Sequence, residues 1–164
     1  MEMREQGREV RGSKFDGSLD VAEIAKRLRR EIREAIKAGT LPKGLKTSVT
    51  IDRFAGGQSC DIRIKALPFP LLNPDWRRSR PASGLDLYTG QARDVLDELS
   101  RMLGAYNRDN SDSQTDYFDV HFYGHVEVYW EYENACRSQW RADAVADEYA
   151  RTRQDRENRE RGLS

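Results

Sequence analysis

Cysteine and histidine are scarce in this chain of 164 residues, so few places can carry nucleophilic or metal chemistry. The thiols are Cys60 and Cys136, and the imidazoles are His121 and His125. A cysteine nucleophile needs a base within hydrogen-bond reach and a third group to orient that base. Cys60 with His121 or His125, and with Asp119 or Glu127 as orienter, would supply those parts. Against this, Cys60 alternates in phase with Ile62 and Ile64, which marks it as a small buried residue. A zinc site needs about four ligands, usually in close pairs, and neither cysteine has such a neighbour. No catalytic residue, metal or cofactor is therefore expected.

The remaining chemistry is that of recognition. In WRRSR the indole of Trp76 lies beside Arg77, Arg78 and Arg80. An aromatic ring among guanidiniums can stack on a base or grip phosphate. Equally, Trp76 can simply anchor a surface loop. Further on, DYFDVHFYGHVEVYWEY is the most strongly patterned stretch of the chain. A hairpin turning at Tyr123-Gly124-His125 would pair Phe122 with Val126, Val120 with Val128 and Phe118 with Trp130. That register gathers the apolar set on one face, and a slip by one residue would mix the two faces. The other face then holds Tyr117, Asp119, His121, Glu127, Tyr129 and Glu131, with His121 opposite Glu127. Such a pair is either a cross-strand polar contact or a pH-sensitive recognition contact.

These groups must be positioned by regular elements. From Asp20 to Ala38 the apolar residues Val21, Ile24, Ala25, Leu28, Ile32, Ala35 and Ile36 follow the spacing of one helical stripe. Asp20 and Glu23 suit a capping box, and Gly39 suits the stop. Arg27 and Arg30 lie on the opposite face, which is either a solvated back or a surface for an anionic partner. Leu45 to Asp52 and Cys60 to Ala66 alternate as half-buried strands around the glycines Gly56 and Gly57. A double glycine between alternating strands is a turn, and no GxxxxGK[ST] continuation follows to make a phosphate loop. Residues 67–88 form a long connection rich in proline. A second helix runs from about Gly90 to Tyr106 with Ala92, Val95, Leu96, Leu99, Met102 and Leu103 as its stripe. From Asn134 the chain is helix-prone and highly charged, with Trp140 and Ala144 able to dock its first half.

The expected fold is an α+β two-layer sandwich. It has a largely antiparallel four-stranded sheet of two hairpins, two core helices on one face and a C-terminal tail helix. The expected organisation is a flexible arm over 1–17, one α+β domain over 18–150 and a frayed charged tail over 151–164.

Composition limits the partners. Lys+Arg and Asp+Glu both number 28, for a formal net charge of zero. This disfavours a strongly basic nucleic-acid binder and equally an acidic mimic of DNA. The charged start MEMREQGREVRGSK is not that of a signal peptide, and no apolar run approaches the ~20 residues that span a bilayer. Two unpaired thiols suit a reducing compartment, so a soluble cytoplasmic protein with no membrane partner is expected.

The stretches SLDVAEIAKRLRREIREA, LKTSVTIDRFAGGQSCDIRI and YFDVHFYGHVEV resemble the twenty-ninth type of the large polyvalent protein-associated domains. These are small α+β modules of phage and plasmid proteins. The shared pattern is a helix, a strand, a glycine-containing turn and a second strand carrying Ser59, Asp61 and Ile62, over roughly residues 18–130. WRRSR and the charged tail fall outside it. The resemblance implies an origin on a mobile element and a role in its contest with a host. It brings no catalytic residues with it. Two function classes follow. One is a non-enzymatic module binding a host or element-encoded protein through Trp76, Arg77, Arg78, Arg80, Tyr117, His121, Glu127 and Tyr129, with inhibition of a host defence complex as one such role. The other is a nucleic-acid-associated module using Arg27, Arg30, Arg77, Arg78 and Arg80.

Overall fold

A computed structural model describes residues 9–74, 87–112 and 118–162. Its elements are β1 (Val10–Arg11), α1 (Val21–Ala38), β2 (Lys46–Phe54), β3 (Gly57–Ala66), α2 (Gly90–Gly104), β4 (Arg108–Asp109), β5 (Tyr123–Val128) and α3 (Trp130–Glu160). The chain divides into two compact units, Met1–Phe69 with Gly90–Tyr129, and Pro70–Thr89 with Trp130–Ser164. The expected domain over 18–150 spans parts of both. Among the described residues, no helix is long and apolar enough to cross a membrane.

In the first unit, α1 forms where its apolar spacing predicts. Val21, Ile24, Ala25, Leu28 and Ile32 are buried along one stripe. The Asp20 carboxylate accepts the Ala22 N–H and starts the helix. Gly39, at φ 83°, ends it in a left-handed conformation that costs glycine little. β2 and β3 form the expected hairpin, with Val49 opposite Ile62 and Ile51 opposite Cys60. Gly56, at φ 93°, makes the turn.

The α+β class holds, but the four-stranded antiparallel sheet is corrected. The main sheet has three strands in the order β2-β3-β5, and β5 runs parallel to β3. A separate two-stranded sheet pairs β1 with β4. Residues 118–130 are therefore not a hairpin. Gly124 lies inside β5 instead of at a turn, and Trp130 opens α3. Phe118 and Trp130, expected to pair on the core side, are 67% and 62% exposed. The physical reason is burial. Pairing β5 with β3 sets Val126 beside Ile62 and Val128 beside Ile64, joining apolar strands that would otherwise lie at separate edges. Gly124 serves close packing: a Cβ there would lie 3.0 Å from the Leu103 side chain of α2. Trp130 leaves the strand because Glu131 and Glu133 fill the first turn of α3, where acidic groups favour a helix start.

Residues 9–17, assigned above to the flexible arm, are tied down. Besides the β1–β4 pairing, Gly12 N–H donates to the Asn107 carbonyl and Lys14 N–H to the Ala105 carbonyl. Lys14 Nζ lies 2.9 Å from Glu31 Oε1, and the same oxygen accepts the Tyr106 hydroxyl. Tyr106 is buried. Burial raises the Glu31 carboxyl pKa, but the bonds from Tyr106 and Lys14 outweigh this and hold it below its ordinary value. Burial and the Glu31 bond push the Tyr106 phenol up to about 12.

The folded phenol thus titrates above the ordinary value of 10.0, so its stabilisation is complete below pH 10 and lost as the pH rises through 12. Tyr106→Phe should cost about 0.5–1.5 kcal/mol at pH 8. It should also flatten the fall of stability above pH 10. Urea unfolding at pH 8 and pH 10.5 measures both, and a variant with the parent's alkaline slope would refute the assignment.

In the second unit, the connection after Phe69 is pinched at its base. Asn73 N–H donates to the Leu87 carbonyl and Thr89 N–H to the Leu71 carbonyl, around a Leu72–Tyr88 bridge. Helix α3 continues to Glu160, past Arg151, where the tail is expected to fray. Its distal turns carry the pairs Arg153–Glu157 and Arg156–Glu160 at i,i+4 spacing. This local support replaces the missing apolar stripe.

Candidate interaction surface

The three-stranded sheet has two unlike faces. Cys60, Ile62, Ile64 and Val128 share the buried face with Gly124, which α2 approaches through Leu103. Alternation sends the other residues to the opposite face. There Ser59 neighbours Tyr123, Asp61 neighbours His125, and Arg63 neighbours Glu127. Thr50 and Ser48 of β2 extend the rows beside Asp61 and Arg63.

Arg63 is the hub of this face. Its Nε donates to Glu127 Oε1 at 2.7 Å, and that bond raises the guanidinium pKa. Its terminal nitrogen also lies 4.0 Å from Asp61 Oδ2. The other Asp61 oxygen is sealed from solvent with no hydrogen bond, and it lies 3.4 Å from His125 Nδ1. Lys65 Nζ sits 5.2 Å from the centre of the Tyr129 ring, close enough for a cation–π contact. Tyr123 packs beside Phe54 with ring centres 5.9 Å apart. Both rings remain partly open to solvent. The face is thus a patch of alternating charge with aromatic flanks.

Of the residues expected to bind, Glu127 lies on this face and Tyr129 borders it through Lys65. His121 does not. Its Nε2 lies 3.1 Å from the Leu19 carbonyl, and its ring meets Phe15 edge-on at 5.3 Å. The expected His121–Glu127 pair is replaced by Arg63–Glu127, because the chain ahead of Tyr123 pairs with β4 through Val120 and leaves the β5 alternation. Trp76, Arg77, Arg78, Arg80 and Tyr117 lie outside the described residues. Arg27 and Arg30 sit on α1 with partners of their own: Arg27 is 3.1 Å from Glu23, and Arg30 is 4.0 Å from Glu34. Asp61, Arg63, Tyr123 and His125 were missed. Asp61 and Arg63 alternate visibly with the apolar residues of their strand, but Tyr123 and His125 were assigned to a turn, and the four meet only in the parallel register.

The nucleophile reading fails on burial. Cys60 is fully buried, and desolvation followed by the neighbouring Asp61 charge pushes its thiol up to about 11. A thiol so rarely ionised near neutral pH is a poor nucleophile. Among the described residues, no group of three or more His, Cys, Asp or Glu side chains is arranged to hold a metal ion. Comparisons with protein-family models, with curated proteins and with solved structures find no match for the chain.

Proposed function

We propose that the protein is a non-enzymatic protein-interaction module and that the open face of β2-β3-β5 meets its partner. The observation that carries this reading is the alternation of charge across β3 and β5. Asp61 and Glu127 are interleaved with Arg63 and Lys65, beside Tyr123 and Tyr129. A phosphate surface needs cations left free of acidic neighbours, whereas this face offers donors and acceptors to a mixed partner surface. Tyrosine and arginine are also among the residue types that dominate interface energies. The family resemblance supplies the setting. On that resemblance alone we propose that the module comes from a phage or plasmid and that its partner is a host or element-encoded protein, with inhibition of a host defence complex as one such role.

The test is affinity capture from host extract, with the captured protein then titrated in purified form against Arg63→Ala and Tyr129→Ala. Each variant should weaken binding at least about tenfold, which corresponds to roughly 1.4 kcal/mol. Arg63→Ala should keep the parent's circular dichroism, since a solvent-facing ion pair contributes only about 0–1 kcal/mol to folding. Tyr129 is half-buried, so its variant counts only where its circular dichroism matches the parent's. Undiminished binding by both folded variants would remove this face from the interface. Binding to labelled DNA or RNA that falls steeply with salt would favour the nucleic-acid class instead.

A further inference from the structure

The outer edge of β5 is an unfinished sheet edge whose sequence is complementary to itself. Tyr129 N–H donates to the Ile64 carbonyl, so the backbone groups of Tyr123, His125, Glu127 and Tyr129 point inward to β3. Those of Gly124, Val126 and Val128 then point outward. Among the described residues, no hydrogen bond reaches these outward groups.

The edge is bounded at both ends. Before it, Asn107 satisfies both outward groups of Phe122: its Nδ2 donates to the carbonyl at 2.8 Å and its Oδ1 accepts the N–H at 3.3 Å. After it, Trp130 opens α3. At the far edge of the sheet, the Val49 carbonyl of β2 already accepts the Arg29 guanidinium at 2.6 Å. Beside β5, Ser100, Leu103, Gly104 and Asn107 border a shallow cleft of about 120 Å³ with Gly124 and Val126. Its small residues leave room for an incoming side chain.

We propose that this edge pairs with the same edge of a second copy, antiparallel and centred on Val126. The pattern of the strand argues for that occupant. Centring on Val126 places Gly124 opposite Val128 of the other copy, so every outward donor meets an outward acceptor. On the open face it places His125 opposite Glu127 and Tyr123 opposite Tyr129. A histidine beside a carboxylate, which can hydrogen-bond, and paired aromatics are favourable cross-strand neighbours. A shift by one residue would set inward-pointing groups against outward ones, and a shift by two would lose both the His125–Glu127 and the Tyr123–Tyr129 pairings. The backbone hydrogen bonds of the pairing span the free edge from Gly124 to Val128. It joins two sheets into one of six strands, with both open faces on one side. This inference does not depend on the proposed function.

Sedimentation of the full chain over a range of micromolar concentrations tests the pairing. A reversible dimer is expected. Val126→Pro removes an N–H that has no partner within one copy, a position an edge strand tolerates, and should give a folded monomer. The register is read independently in a Cys136→Ser background. His125→Cys and Glu127→Cys proteins, mixed and mildly oxidised, should cross-link to each other in preference to themselves. The two positions form a non-hydrogen-bonded pair, with Cα atoms about 4.5 Å apart. If Val126→Pro does not fold, the cross-link decides. A protein that stays monomeric throughout, a dimer indifferent to Val126→Pro, or cross-linking no greater in the mixture than in either protein alone would each overturn the proposal. So would a monomer that takes up a foreign extended peptide at this edge.

Discussion

Leu28→Ala should destabilise the protein by about 2–5 kcal/mol, and Leu99→Ala by a similar amount. Each side chain is fully buried in the centre of its helical stripe. Truncation removes buried methyl groups and leaves a cavity that neighbours on the sheet cannot fill without moving. The spread depends on how far the site collapses. Denaturant midpoints measure the loss. Val145→Ala is the contrast, since Val145 is 53% exposed on α3. Its midpoint should hardly move. Midpoints for Leu28→Ala and Leu99→Ala that stay at the parent value would mean these stripes do not form the core.

The second large effect is expected at Gly12. A Cβ at this position would lie 2.3 Å from the backbone carbonyl oxygens of both Ala105 and Gly104. Backbone at the end of α2 cannot swing aside as a flexible side chain can. Gly12→Ala must therefore shift the end of α2 or release β1, at a cost of roughly 1–3 kcal/mol. Release of β1 would also loosen Lys14 from Glu31. Trypsin should then cut after Arg11 and Lys14 well before it attacks the rest of the first unit. Gly17→Ala is the matched control, since a Cβ there meets only the Phe15 ring at 3.6 Å. Equal digestion of the two variants would show that the arm does not depend on this close approach.

What the sequence made legible is what is local. The α1 stripe, its Asp20 cap and its Gly39 stop depend on neighbours a few residues away. So does the β2–β3 hairpin around Gly56. The pairing of β5 does not. Its alternation is compatible with a hairpin or with a parallel neighbour, and strand propensity reports only fit to a half-buried surface. The aromatic residues after Val128 read as strand, although Glu131 and Glu133 open a helix there. For the interaction face, the polarity of Glu127 and Tyr129 was readable from alternation. Arg63 as the partner of Glu127 was not, because it lies on a strand made much earlier in the chain. His121 was misplaced because the β5 alternation was carried back through a segment that pairs with β4.

The parallel strand also dictates an order of events. Arg63 and Glu127, neighbours in the finished sheet, are 64 residues apart in sequence. The contact between His121 and Leu19 spans 102 residues. The β2–β3 hairpin can close as soon as it leaves the ribosome, but its inner edge must wait for α2 and the whole connection after Phe69 to be synthesised. During that wait the Ile62 and Ile64 edge is open to any passing strand. High contact order of this kind slows folding and lengthens exposure to aggregation. Yield in a foreign host should therefore depend on translation speed and chaperone supply more than on the stability of the finished protein.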